Sequence, residues 1–197
     1  MKRYGIFGGV FDPVHLAHLI MAENVRQHMS LDKVIFIPSG TPPFKNSEHI
    51  LDAKIRLHLV NLSIKGNQYF ESSDIEINDI NPNKSYTVNT LVKLHEKYKD
   101  EQVKLYLIIG VDNLIEMNKW KEPGKIFMLS EVVVINRPGY IINDVKNEYR
   151  NRVSYIPAPN IDISSTDIRH KIRENKSIKY LVHGEVEKYI LEKKLYK

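Results

Sequence analysis

The 197 residues contain no cysteine. That excludes a disulfide framework, a thiolate nucleophile and a cysteine-ligated metal. No apolar run approaches the roughly eighteen residues of a membrane span, so no membrane partner is expected. The N-terminal MKRYGIFGG carries two basic residues but no sustained apolar stretch before a small-residue cleavage site. No signal peptide is read there, and a cytoplasmic location is expected. Also missing is a basic block interleaved with aromatics, as a nucleic-acid groove would need. The formal charge is +5, but the basic residues are spread along the chain, densest at Lys188, Lys193, Lys194 and Lys197. No nucleic acid is expected as a partner; the charge suits an anionic small molecule without demanding one.

What is present is ordinary for a globular chain, with 42% hydrophobic and 27% charged residues. The length suits one α/β domain over residues 1–197, with a sizeable core and a helical part from about residue 165 onward. Strand-like runs alternate with helical patterns. The strands read as Tyr4–Phe7, Val34–Pro38, Phe70–Ile77, Val103–Ile109, Val132–Ile135 and Val153–Ile156. The helices read as Val14–Met29, with Leu19, Ala22, Val25 and Met29 as its apolar stripe, and a second opened by Asp52 with Ile55, Leu59 and Leu62 inward. A third carries Val88, Leu91, Leu94 and Tyr98, and two more lie near Ser165–Glu174 and Glu185–Glu192. This alternation predicts a Rossmann-like, doubly wound parallel sheet with helices on both faces and a C-terminal helical extension. In such sheets ligands sit beyond the carboxyl ends of the strands. Gly8–His18, Gly40–Lys45, Gly110–Asp112 and Arg137–Gly139 all follow predicted strands and are expected to share one rim.

The first of these segments reads GGVFDPVHLAH. A lone Gly-Gly is ordinarily just a tight turn. Here a strand, Gly8 and Gly9, a Phe11-Asp12-Pro13 turn and two histidines opening a helix follow one another. Glycines let backbone N–H groups approach an anion, and a helix N-terminus adds favourable partial charge. His15 and His18, at i and i+3, face the same side of the first turn, where both can reach one phosphate group. Near the other end, Ile163–Arg169 reads ISSTDIR. Alone it is a helix cap: Ser164 or Ser165 fits, and Ser164-x-x-Asp167 has capping-box spacing with Asp for Glu. Beside the histidine turn, the same helix start becomes a cradle for further phosphates, with Thr166 donating and Arg169 supplying charge. His28, His49, His58, His95, His170 and His183 lack mutual metal-ligand spacing and read as surface or packing residues, so no protein-held metal site is expected.

These two segments resemble the signatures of the nucleotidyltransferase superfamily, an H-x-G-H turn and an ISST-x-R segment. The first is present as His15-Leu16-Ala17-His18, with alanine where glycine is usual; the second matches fully. IPSGTPPFK (37–45), SYTVNTL (85–91), IIGVDN (108–113), MNKWKE (117–122) and VINRPG (134–139) extend the likeness over essentially the whole chain. They narrow it to the bacterial nicotinate-nucleotide adenylyltransferase family. Other departures are Val10 for threonine, Phe44 for histidine and Asn89 for aspartate.

The resemblance implies transfer of AMP from ATP to nicotinate mononucleotide, with release of pyrophosphate. His15 and His18 are implied as catalytic. ATP contacts are implied at Gly8, Gly9, Phe11, Gly110, Asp112, Ser164, Ser165, Thr166 and Arg169. Mononucleotide contacts are implied at Lys45, Tyr86, Thr87, Trp120 and Arg137. Trp120 would stack on the nicotinate ring, and the helix start at Tyr86 and Thr87 would meet its carboxylate. Without the resemblance, Trp120 reads as core, Lys45 as a solvated loop lysine and Gly110-Val111-Asp112 as a turn. Magnesium is expected with ATP, held largely by phosphates and water. A homo-oligomer is compatible with the sequence. The alternatives are a sister enzyme with another acceptor, such as nicotinamide mononucleotide or pantetheine phosphate, and a non-catalytic nucleotide- or RNA-binding module. ISSTDIR and the mid-chain segments weigh against pantetheine phosphate.

Overall fold

A computed structural model of the protein describes residues 1–41, 50–78, 85–136, 139–140, 143, 145 and 148–197. Its strands are β1 (Lys2–Gly9), β2 (Lys33–Pro38), β3 (Phe70–Ser72), β4 (Val103–Gly110), β5 (Glu131–Ile135) and β6 (Ser154–Ile156). Its helices are α1 (Leu16–His28), α2 (Ala53–Ile64), α3 (Thr87–Lys97), α4 (Val111–Ile115), α5 (Pro123–Leu129), α6 (Ser165–Arg173) and α7 (Gly184–Glu192). The strands form one sheet in the order β3-β2-β1-β4-β5-β6, and every pairing is parallel. This is the doubly wound α/β fold that the alternation predicts.

Side-chain alternation along the strands splits the core into two layers. Phe7, Val34, Phe36, Tyr106, Ile108, Val133 and Ile135 point to one face, where they pack with residues of α1, α2, α6 and α7. Tyr4, Ile6, Ile35, Ile37, Leu105, Leu107, Ile109, Val132 and Val134 point to the other, under α3, α4 and α5. With both faces covered, the strands must read as continuous apolar runs, as VIFIP and YLII do. On α3 the four predicted core residues, Val88, Leu91, Leu94 and Tyr98, are all buried.

Three readings need correction. The predicted strand Phe70–Ile77 ends at Ser72. Asp74 turns the chain instead: its carbonyl accepts from Ile77 N (2.8 Å) and Asn78 N (3.0 Å), so no strand ladder continues. In α2 the buried face runs through Arg56, Leu59, Val60 and Ser63, with Ile55 and Leu62 at its margin. The MNKWKE region, read only as a motif, lies between α4 and α5, two helices too short to show a period. No helix among the described residues is long and apolar enough to cross a membrane.

Candidate active site

The strand order reverses between β1 and β4, and their carboxyl ends frame the crevice where such sheets bind ligands. Gly8 and Gly9 end β1, in register with Ile37 and Pro38 of β2, and Gly8 is exposed. The chain then turns through Phe11, at φ +50°, and a cis Asp12-Pro13 peptide before His15 caps α1 in extended conformation. Leu181 supplies the carbonyl that accepts the Leu16 N–H at 2.9 Å.

His15 and His18 stack with ring centroids 3.6 Å apart and 26° between planes. His15 is only 6% exposed, whereas His18 is half-buried. The His15 N–H donates to His18 Nδ1 at 3.2 Å. A ring nitrogen that accepts carries no hydrogen, so the neutral His18 ring holds its proton on Nε2 and presents a donor there. Phe11 and Phe7 meet the His18 ring edge-on, with centroids 5.0 and 6.1 Å away. Phe11 is 2% exposed and so supports His18 from the core side.

The ISSTDIR helix docks on this loop. Ser164 is the cap of α6: its Oγ accepts from Asp167 N at 3.1 Å and donates to Asp167 Oδ2 at 2.6 Å. Ser165 Oγ donates to the Pro13 carbonyl at 2.9 Å. Arg169 Nη1 donates to the Asp12 carbonyl at 2.7 Å and Nη2 to Thr166 Oγ1 at 3.2 Å. Both serine hydroxyls are thus engaged within the protein. Of the first backbone N–H groups of α6, that of Asp167 is taken by the cap; those of Ser165 and Thr166 have no acceptor within the helix and lie beside the exposed Thr166 side chain and the remaining donors of Arg169.

Behind the loop lies a buried charge cluster that the sequence reading missed. Arg56 is 1% exposed, and Asp12 is 3% exposed. The guanidinium donates to the carbonyls of Leu51 (2.9 Å), Val10 (2.6 Å), Ser39 (2.6 Å) and Gly40 (3.3 Å). It thereby ties the loop after β1 to the loop after β2 and to the start of α2. Burial pulls the Arg56 pKa below its ordinary value, and the neighbouring Asp12 charge opposes that. Tyr196, the residue before Lys197, donates from Oη to Asp12 Oδ1 at 2.8 Å. Burial pushes its phenol pKa up, reinforced by the Asp12 carboxylate. One signal for Arg56 was in the sequence: positions 56, 59, 60 and 63 share a helical face, and Arg56 is in phase with it.

Across the crevice, Gly110 caps α4 and Asp112 stands in its first turn. A Cβ on Gly110 would collide with Asp112 Oδ1, so glycine here lets that carboxylate fold back over the strand end. Tyr86 caps α3 and Thr87 begins it. Trp120 is half-buried against the α3-side core, and Lys121 Nζ lies 5.1 Å from the Tyr86 ring centroid, so the two segments adjoin. Ser85 Oγ accepts from Gly40 N (3.0 Å) and Thr41 N (3.2 Å), fastening the β2 loop to the start of α3. Lys45, Phe44 and Arg137 lie outside the described residues.

Glu76 sits beneath this junction and accepts from Thr90 Oγ1 at 2.6 Å. Burial raises its pKa, partly offset by hydrogen bonds from Thr90 and Ser85. A raised carboxyl keeps its proton in the folded state where the unfolded chain has lost it. Its contribution is therefore full below the ordinary carboxylate range and is lost as pH rises through the folded value. Glu76→Gln is expected to gain stability over the wild type progressively as pH rises above the ordinary carboxylate range, read as urea midpoints. A gain that shrinks with pH would contradict this placement of the carboxyl.

Comparison with known proteins fits this geometry. The cytidylyltransferase-like family profile matches residues 6–171. A Caldicellulosiruptor saccharolyticus protein described as "Probable nicotinate-nucleotide adenylyltransferase" is 42% identical over 201 residues, covering 99% of both chains. A Clostridium novyi protein of the same description is 40% identical over 204 residues, covering 100% of both. The chain belongs to the nicotinate-nucleotide adenylyltransferase family. Its fold matches the Plasmodium falciparum nicotinic acid mononucleotide adenylyltransferase complexed with NaAD, with a TM-score of 0.80 over 100% of this chain and 98% of that one. At 19% identity that likeness is one of fold. In this member of the family, Ala17 replaces the glycine of the histidine motif and is buried in the first turn of α1. Its methyl group is accommodated with the two imidazoles still stacked.

Proposed function

We propose that the protein transfers the adenylyl group of ATP to nicotinate mononucleotide, forming nicotinate adenine dinucleotide and pyrophosphate. The observation that carries this reading is the docking of α6 on the histidine turn through Ser165–Pro13 and Arg169–Asp12. It brings together, at the switch point, two helix starts whose chemistry suits phosphate. An oxygen of the acceptor phosphate attacks the α-phosphorus of ATP, and the bond to the bridging β-phosphate oxygen breaks. The nucleophile is already an anion, so no general base is required. Such transfer asks the protein for positioning and charge stabilisation.

His18 Nε2–H is the donor for charge developing on the α-phosphate, and His15, stacked against it, lies on the same side. The α6 N-terminus, Thr166 and Arg169 take the β- and γ-phosphates. Gly8 and Gly9 leave room for the phosphate, and Asp112 stands where the family contacts ribose. Among the described residues no group of three or more His, Asp or Glu is placed to hold a metal. The donor set of imidazoles, hydroxyl, guanidinium and backbone N–H groups suits a magnesium ion that arrives on the triphosphate. Bound there, it would neutralise phosphate charge.

The acceptor's ring fits between Trp120 and the start of α3, where Tyr86, Thr87 and the first N–H groups favour a carboxylate over a carboxamide. Lys45 and Arg137 are the mononucleotide-phosphate candidates. Pyrophosphate release measured with each mononucleotide separately tests the acceptor. The expected result is at least a tenfold higher kcat/KM for the acid; preference for the amide would overturn the acceptor assignment. The Plasmodium relative's complex with NaAD, the dinucleotide expected as product, supports the same reading.

A further inference from the structure

The segment that leads into His15 and the first turn of α1 is irregular, so its position depends on what grips it from outside. On one side α6 holds the carbonyls of Asp12 and Pro13. On the other, the Asp12 side chain reaches Tyr196, 184 positions along the chain. Its Oδ1 accepts a long bond from Leu51 N at 3.4 Å and a short one from Tyr196 Oη at 2.8 Å. Arg56 contributes charge to Asp12 but spends its hydrogen bonds on backbone carbonyls. Among the described residues the phenol is therefore the closest donor to this carboxylate, and Asp12 stands three residues before His15.

Tyr196 is held at φ +65°, a left-handed conformation that L-residues adopt at a cost. It also packs, with Leu195, against the core on the side of α2 and α7. Burying a phenol is favourable only when its hydroxyl is satisfied, and a buried carboxylate needs donors still more.

We infer that Tyr196 is a positioning residue for the transfer reaction, setting the histidine turn through Asp12 from the far end of the chain. The inference rests on the adenylyl-transfer reading above. Removal of the hydroxyl leaves α6 and its phosphate contacts in place but frees one side of the turn. Catalysis is sensitive to displacements of this kind: about 1 Å of misplacement can cost on the order of 10²-fold.

The test is Tyr196→Phe, assayed well below the unfolding transitions of both proteins, with Lys197→Ala as a neighbouring control. Expected is a fall of about tenfold in kcat, with the KM for ATP within about twofold. The imidazole 15N resonances of His18 should also shift, while Lys197→Ala behaves as wild type. A role confined to stability would lower the melting temperature and leave kcat and the imidazole shifts unmoved; that result overturns the inference. So would a loss confined to KM, or an equal loss in Lys197→Ala. If Tyr196→Phe does not fold, the chain ending at Leu195 is assayed in the same way. Failure of both to fold makes the role purely structural and also overturns it. A wild-type protein that transfers no adenylyl group overturns the underlying reading instead, which the wild-type control separates.

Discussion

His18→Ala is expected to lower kcat by about 10²–10³, the usual effect of removing one preorganised donor at developing charge. The KM for ATP should change little, because on the proposed mechanism the lost interaction strengthens in the transition state and other groups hold the triphosphate. The ring is held for this task from three directions. The His15 backbone fixes its tautomer, the His15 ring stacks on it, and Phe11 and Phe7 block its rotation toward the core. Because His18 is only half-buried, its loss should leave the fold intact. Steady-state kinetics with unchanged far-UV circular dichroism would check both parts. Turnover within a few-fold of wild type would mean that another group carries the charge.

The second large effect is on stability. Arg56→Met is expected to lower the unfolding free energy by about 3–5 kcal/mol, the range for breaking a buried charge pair from one side. It deprives the Leu51, Val10 and Ser39 carbonyls of donors at 2.9, 2.6 and 2.6 Å and leaves the Asp12 carboxylate without its buried countercharge. A domain is commonly stable by only about 5–15 kcal/mol. Arg56→Lys should recover little, since one ammonium cannot span carbonyls from three segments as a planar fork does. Urea unfolding with a free slope is the measurement. A midpoint that barely moves would show that the three segments hold together without the guanidinium.

Arg56 also shows where sequence reading stops. Apolar periodicity placed the sheet, since strands covered on both faces are continuous apolar runs, and it found the apolar residues of the inner face of α3 but not the buried Thr90. It failed where a charged residue sits on an apolar stripe, because burial of a guanidinium depends on carbonyls contributed by three separate loops. Ile75 and Ile77 alternate like strand residues, yet Asp74 claims the backbone donors of Ile77 and Asn78. Pro123 at the first position of α5 was a start signal, but seven residues are too few for a period. At the site, the helix start at His15 and His18 and the Ser164 cap were legible because they lie in local order along the chain. Tyr196 was not, because its meaning comes from a carboxylate 184 positions away.

The most direct measurement follows the phosphorus atoms. ATP labelled at the α-phosphate and, separately, at the γ-phosphate would be incubated with magnesium, nicotinate mononucleotide and the protein. The α-label is expected in a dinucleotide, formed one-for-one with pyrophosphate that carries the γ-label, and His18→Ala should slow both together. Transfer of the γ-label to the acceptor, or release of AMP independent of the acceptor, would contradict adenylyl transfer at this site.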